Sequence, residues 1–237
     1  MITALKDPKN KLILDWSPKA GCTILTKMFF RQMGLLEEAL EYNSWIHEYR
    51  MHVYSKNYPI TIDDLKGNNY YKIKVVRNPF HRAVSSYIHT MKYEMMHAPV
   101  KKTLWRWNAN ISFETFINYL SKIDLRTCDP HYSLQKKDYE YEIPGCFDEI
   151  ISLKDIRDAF QNLNETRGTH FDLTGLTSSH HSKLNTQLNE NVSGKKWSKL
   201  KDAIPDYKYF YTDNLIDQVY SLYADDFADY GFSKSDI

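Results

Sequence analysis

The sequence predicts an α/β fold with a central parallel sheet flanked by helices in three layers. Short apolar runs of strand length alternate along the chain with longer segments whose apolar residues recur at helical spacing. In two places, 12–33 and 70–96, such a run is joined to the following helix by a tight turn. Ligands of parallel sheets bind beyond the carboxyl ends of the strands, so we expect both turns at one edge if their strands are neighbours.

The first unit contains a strand at 12–15, a turn at 17–23 and a helix at 23–33, with Gly34 at the position of a helix-ending glycine. Unpaired N–H groups at a helix N-terminus, the helix dipole and a nearby lysine all attract anions. The turn therefore predicts a phosphate-type site, here called the cradle, which consists of Lys19, Ala20, Gly21, Cys22 and Thr23.

The second unit contains a strand at 70–76 and a helix at 80–96 that begins near Pro79. Arg77 ends the strand and Ser85 follows eight residues later. A guanidinium and a hydroxyl in this arrangement can hold one compact dianion from two directions. Taken alone, Arg77 could equally form a structural ion pair.

For the rest of the sequence we predict a polar N-terminal lead-in segment at 1–11, a loop-rich stretch at 125–144, a third strand at 147–153 and further helices. The helices are expected at 36–40, 112–123, 154–164, 197–203 and 212–228, while 44–58 is ambiguous. We expect one domain that spans 1–237.

Composition narrows the possible partners. A net charge of +1 over 237 residues gives no global field that would recruit nucleic acid or an anionic membrane. Three cysteines fit no zinc pattern and favour a reducing compartment, and we expect no metal. The N-terminus has no signal-like apolar core, and no apolar stretch reaches the roughly 20 residues that span a bilayer, so we expect a cytoplasmic protein without stable membrane insertion.

The first turn is not a nucleotide-triphosphate P-loop. That pattern needs a lysine directly before Ser or Thr, whereas Lys19 precedes Ala20 and Gly21. Instead, SPKAGCT (17–23) and VVRNPFHRAVSSY (75–87) resemble the two phosphate-binding motifs of the sulfotransferase superfamily. DPHYSLQ (129–135), FDEIISLKDI (147–156) and VYSLYADDFADYGF (219–232) are similar to later segments of its carbohydrate-type branch, which includes chondroitin and dermatan sulfotransferases.

The resemblance covers about 12–232 and implies a P-loop-like fold. It further implies the donor 3′-phosphoadenosine 5′-phosphosulfate (PAPS), with Lys19 at the bridging oxygen and the cradle on the 5′-phosphate. Arg77 and Ser85 would bind the 3′-phosphate, and the acceptor would be a hydroxyl, expected on a glycan. One departure is Ile24, where the branch commonly has Ser or Thr.

The acceptor hydroxyl needs a general base, and related enzymes carry a histidine 20–30 residues before the arginine. His47 lies 30 residues before Arg77 and His52 lies 25 before it. We prefer His47 for its spacing, with His52 and the neighbouring Glu48 as alternatives. Two other functions stay open: a non-catalytic protein that binds glycan or the product nucleotide 3′-phosphoadenosine 5′-phosphate (PAP), and a phosphotransferase on a related scaffold.

Three further segments have an open role. The basic and aromatic cluster of Lys101, Lys102, Trp105, Arg106 and Trp107 could contact an anionic acceptor or form an ordinary exposed loop. The 180–183 run, HHSK, could cover the adenosine or be a solvated loop. His131 and Gln135 could line an acceptor groove or make structural hydrogen bonds.

Overall fold

The computed structural model describes residues 4–93, 110–177 and 189–237. The Lys101–Trp107 cluster, the 180–183 run and the end of the helix predicted at 80–96 lie outside these residues. The described chain forms two compact units. The first unit comprises 4–77 and 137–177, and the second comprises 78–93, 110–136 and 189–237.

The first unit contains a four-stranded sheet in the order β1-β2-β3-β4. The strands are β1 (Leu5–Asp7), β2 (Leu12–Trp16), β3 (Tyr71–Val76) and β4 (Glu149–Ser152). Strands β2, β3 and β4 are parallel, while β1 runs antiparallel to β2. The α/β prediction is confirmed, with a mixed sheet in place of a wholly parallel one.

Strand β1 lies where the sequence predicts only a polar lead-in. Its three residues, one of them Lys6 and one Asp7, are too few and too polar to show an apolar pattern. Pairing with β2 provides what the local sequence lacks, since Leu5 lies opposite Leu14 and is almost fully buried.

The helices of the first unit surround this sheet. They are α1 (Cys22–Gln32), α2 (Leu36–Tyr42), α3 (His47–Tyr49), a π-helical turn (Arg50–Tyr54), α4 (Ser55–Asn57), α5 (Ile62–Lys66), α8 (Asp138–Glu142), a 3₁₀ turn (Leu153–Asp155) and α9 (Ile156–Arg167). The ambiguous stretch 44–58 is thus largely helical with an inserted π turn, and α8 lies where the sequence suggests loop.

Both faces of the sheet are covered, which explains why every residue of β2 is buried. Leu12, Leu14 and Trp16 share one apolar cluster with the inner faces of α1 and α9. Successive strand residues point to opposite faces, so Ile13 and Asp15 lie on the other side, where Ile13 packs with Tyr139. The first unit is therefore a three-layer structure.

The second unit is helical. Its elements are α6 (Pro79–Lys92), α7 (Phe113–Leu120), 3₁₀ turns at Trp197–Lys199 and Tyr207–Phe210, α10 (Asp213–Leu222) and α11 (Ala224–Asp229). The prediction of a single helix at 212–228 is wrong in one respect: the structure has two helices there, α10 and α11, which are separated at Tyr223. This side chain is buried and its hydroxyl donates to the Tyr132 carbonyl at 2.8 Å, a long-range contact that no local pattern shows.

Candidate active site at the end of strand β2

A tight turn leaves β2 at Ser17. The Ala20 N–H donates to the Ser17 carbonyl at 3.0 Å, with Pro18 in the second position and Lys19 in the third. Lys19 has a φ of 70°, the left-handed value that the third residue of a type II turn requires. Glycine usually fills that position because a side chain there costs about 1–2 kcal/mol. Lys19 therefore adopts a backbone conformation that is unfavourable for a residue with a side chain.

Helix α1 begins directly after this turn. Its N-cap, Gly21, has a φ of 86°, and the first intrahelical bond runs from the Leu25 N–H to the Gly21 carbonyl. The amides of Cys22, Thr23 and Ile24 consequently have no acceptor within the helix. The first turn carries no acidic residue. This N-terminus suits an anion, as the sequence predicts.

Arg77 connects the second turn to the first. Strands β2 and β3 are parallel neighbours, so both turns leave the sheet at the same edge, as expected. The Arg77 Nη1 donates to the Lys19 carbonyl at 3.0 Å. The guanidinium thus braces the left-handed residue of the cradle. Ser85 belongs to the second unit, where it is partly exposed on α6.

His47 contacts the cradle through Thr23. Its Nε2 lies 3.2 Å from Thr23 Oγ1, and only 7% of the residue is exposed. The Thr23 hydroxyl has one proton, which it can donate either to a bare Nε2 or to a bound anion. The protonation of His47 and the bonding of Thr23 are therefore coupled.

His52 and Glu48 lie apart from this contact. The His52 Nε2 is 3.3 Å from Glu48 Oε2 on the adjacent helical turn, and the His52 side chain is 54% exposed. Of the three predicted bases, the structure brings His47 to the cradle.

Arg50 is a cation near the cradle that the sequence pattern does not single out. It begins the π-helical turn, and its guanidinium carbon lies 5.7 Å from the centre of the Trp16 ring. Burial lowers the pKa of Arg50, while the charges of Cys22 and Asp15 act in the opposite direction. Its position three residues after His47 places both on one helical face, and this spacing is the signal that could identify it.

A buried ionic network supports the end of β2 from the second face of the sheet. The Lys137 Nζ donates to Asp15 Oδ1 and to the Trp16 carbonyl, both at 2.9 Å, and the Tyr139 hydroxyl donates to Asp15 Oδ2 at 2.7 Å. Lys74, opposite Asp15 in the strand register, is fully buried and pairs with Glu140. The strand that carries the cradle is therefore fixed at its last two residues.

The charges of this network determine the direction in which the pKa of Asp15 is shifted. Burial alone would raise that pKa, but the charges of Lys137 and Lys74 outweigh it, assisted by hydrogen bonds from Lys137 and Tyr139. The net result is a pKa below the ordinary aspartate value. Asp15 is therefore ionised at neutral pH.

The remaining predicted groups make contacts of their own. Gln135 is fully buried, with its backbone N–H on Asp226 Oδ1 at 2.8 Å, which makes it a structural residue of the second unit. His131 is partly exposed, and its Nδ1 lies 2.8 Å from Asp129 Oδ1. Cys22, Cys128 and Cys146 are free thiols.

The described residues contain no group of three or more His, Cys, Asp or Glu side chains placed to hold a metal ion. Among the same residues, none of the helices combines the length and apolar character that a membrane crossing requires. An open polar cavity of about 430 Å³ lies beside the first residues of β2 and β3, and no cradle residue lines it. The cradle is thus separate from this cavity.

Comparison with known proteins gives one match. A family model described as "Sulfotransferase family" matches residues 3–233, nearly the whole chain. No curated protein and no solved structure matches. Family membership makes sulfuryl transfer from a sulfate donor to a hydroxyl the general activity. The strand, turn and helix that build the cradle lie inside the matched range, and the chain belongs to the sulfotransferase family.

Proposed function

We propose that this protein transfers the sulfuryl group of PAPS to an acceptor hydroxyl, on a carbohydrate, with His47 as the general base. One observation supports this most: the imidazole of His47 lies 3.2 Å from the hydroxyl of Thr23, within the cradle itself. A base and an anion site in contact are what an in-line displacement needs.

The proposed reaction is a single displacement at sulfur. The acceptor oxygen attacks sulfur, the bond from sulfur to the bridging oxygen breaks, and its electron pair goes to the departing 5′-phosphate of PAP. The acceptor proton goes to His47 Nε2. Because that nitrogen faces Thr23, the acceptor hydroxyl must replace Thr23 as its partner, which releases the Thr23 hydroxyl to the 5′-phosphate.

Charge develops on the leaving phosphate, and positive groups stabilise it. We assign Lys19 to the bridging oxygen and the amides of Gly21, Cys22 and Thr23 to the 5′-phosphate, while the Ala20 amide donates to the Ser17 carbonyl and closes the turn. The left-handed turn at Lys19 and the open amides of α1 support this assignment. Arg77 and Ser85 are proposed for the 3′-phosphate on their sequence spacing, and no metal is required.

Donor specificity is tested by calorimetry with PAP and with ATP in the presence and absence of Mg²⁺. We expect PAP to bind more tightly and without Mg²⁺. Tighter, Mg²⁺-dependent binding of ATP would point to a phosphotransferase. PAP binding with no transfer of labelled sulfate to any acceptor would point to a non-catalytic binding protein.

The base is tested by His47→Ala, with His52→Ala as the matched control. Loss of a general base lowers kcat by about 10²-fold or more, so His47→Ala should do so while PAP affinity stays within a few-fold of the wild type. His52→Ala should retain most activity, because the exposed His52 pairs with Glu48. Full activity in His47→Ala would move the base to His52 or Glu48.

A further inference from the structure

Trp45 is a large aromatic residue left open beside the proposed base. It lies in the connection between α2 and α3, and 47% of it is exposed. Its indole ring meets the His47 imidazole edge to face, with ring centres 5.7 Å apart and planes at 73°. Trp45 therefore contacts His47, the residue that contacts the cradle, while almost half of its own surface stays open to solvent.

The backbone around Trp45 is fixed. Its N–H donates to Asn43 Oδ1 at 2.8 Å, and its carbonyl accepts the Glu48 N–H at 2.9 Å. An exposed indole normally lowers stability compared with a buried one, since its apolar area stays in water. A rigid, half-open aromatic face next to a base is suited to a ligand that covers it during the reaction.

We propose that Trp45 is the acceptor-positioning residue and that it stacks against the C–H face of a pyranose ring. This inference rests on the proposed function and names the surface on which the sugar lies. One face of a pyranose is apolar and packs on the electron-rich face of an indole, while its edges carry hydroxyls. The polar side chains of Glu48 and His52 follow along the same helical segment and can bond such edges.

A sugar suits this half-exposed indole better than a wholly apolar acceptor would, because a pyranose keeps its edge hydroxyls in water while one face is stacked. A sugar ring stacked there would carry a hydroxyl towards His47 Nε2, next to Thr23. The contact between the Trp45 and His47 rings makes that distance short.

The test compares Trp45→Ala, Trp45→Phe and, as an exposed aromatic control, Tyr220→Ala. Tyr220 is 40% exposed on α10 in the second unit, with its ring against Phe227. Transfer of labelled sulfate from PAPS is measured with unsulfated chondroitin, heparosan and N-acetyllactosamine, and with p-nitrophenol and a tyrosine peptide as non-sugar acceptors. The saccharide used most efficiently by the wild type then serves for all variants.

We expect a saccharide to be the best acceptor. Trp45→Ala should raise its KM by about tenfold or more while the Kd for PAP stays unchanged. Trp45→Phe should recover much of the loss, and Tyr220→Ala should match the wild type. A merely structural role for Trp45 would instead change thermal stability and PAP affinity together.

Two outcomes overturn the inference: an unchanged saccharide KM in Trp45→Ala, and a phenol or peptide as the best acceptor. Failure of the sulfotransferase proposal itself looks different, because wild-type protein would then bind ATP with Mg²⁺ in preference to PAP, or would bind PAP and transfer sulfate to no acceptor.

Discussion

Lys19 combines a proposed chemical role with an unfavourable backbone. Its φ of 70° is one that side chains rarely adopt, and the Arg77 guanidinium holds its carbonyl. Residues held in rarely populated backbone conformations cluster at active sites and ligand-binding sites. Two substitutions at Lys19 can therefore separate the effect of its charge from the effect of its backbone conformation.

We predict that Lys19→Ala and Lys19→Gly both lose about 10²-fold or more in kcat, because each removes the cation that we propose at the leaving group. Their stabilities should differ. Glycine adopts the left-handed region freely, so the free energy of unfolding of Lys19→Gly should exceed that of Lys19→Ala by about 1–2 kcal/mol. Urea denaturation and kinetics on the same samples test both statements. Equal stability of the two variants would show that the backbone at Lys19 is not strained.

The individual residues of the cradle can be predicted from sequence because its chemistry is local. Lys19, Gly21 and Thr23 stand within five positions, and a strand–turn–helix pattern is enough to relate them. The choice between His47 and His52 needs the fold, since both histidines lie at plausible spacings. Arg50 could be found only through its spacing of three residues from His47, because its proximity to Trp16 joins two segments that are far apart in sequence.

At the scale of elements, a side chain at Gly21, in the junction between the turn and α1, would have to displace the end of Leu153. A Cβ there would lie 2.7 Å from Leu153 Cδ1, and φ is 86°. Gly34, which follows the same helix at a φ of 70°, has nothing within 4 Å of such a Cβ. The two glycines share a backbone conformation and differ in the space around them.

We predict that Gly34→Ala costs about 1–2 kcal/mol, the conformational term alone, while Gly21→Ala costs more because Leu153 must also move. Gly21→Ala should further weaken PAP binding, since the amides of the cradle shift with it. Thermal denaturation and calorimetry of both variants provide the comparison. Equal losses of stability, or an unchanged Kd for PAP in Gly21→Ala, would contradict this account of the junction.

Strands β2 and β3 are predictable because they are short apolar runs, and helices α1, α6 and α9 because each has apolar residues at helical spacing and an identifiable start. Asn78 and Ser112 give the same kind of signal, since they accept backbone N–H groups as N-caps of α6 and α7. The break at Tyr223 is not predictable. No glycine or proline marks it, and the hydroxyl of Tyr223 bonds to Tyr132, far away in sequence.

At the scale of the whole molecule, the Asp15 network contributes to the stability of the fold. Asp15 is completely buried, and removing one partner of a buried ion pair typically costs about 3–5 kcal/mol. Its folded-state pKa is lowered, so this contribution is complete above the unfolded-state pKa of about 3.9. It is lost as the pH falls through the lower, folded-state pKa.

We predict that Asp15→Asn is less stable than the wild type by about 3 kcal/mol at pH 7. The difference should shrink as the pH falls below about 4, because the unfolded wild-type chain and then the folded one take up a proton at Asp15. Guanidinium chloride unfolding between about pH 7 and pH 3 measures this, with the exposed Asp202→Asn as control. A difference that stays constant over this range would show that the charge of Asp15 is not the source of stability.

Sequence reasoning establishes the fold class and misses the parts that depend on distant partners. Lys72 and Lys74 are both buried in β3, and their acidic partners, Asp148 and Glu140, come from segments far along the chain that no local pattern relates to them. Strand β1 escapes prediction for a similar reason. Its burial depends on β2 and on the Gln32 side chain, whose Nε2 donates to Asp7 Oδ2 at 3.2 Å.

The position of β1 has a consequence for how the protein behaves when its chain is shortened. β1 covers the hydrogen-bonding edge of β2, whose Ile13 and Leu14 are completely buried. A chain trimmed beyond Asp7 would present that apolar edge to other molecules, and open strand edges of this kind promote intermolecular pairing. The segment that the sequence presents as a polar lead-in is thus the strand that covers the apolar edge of β2.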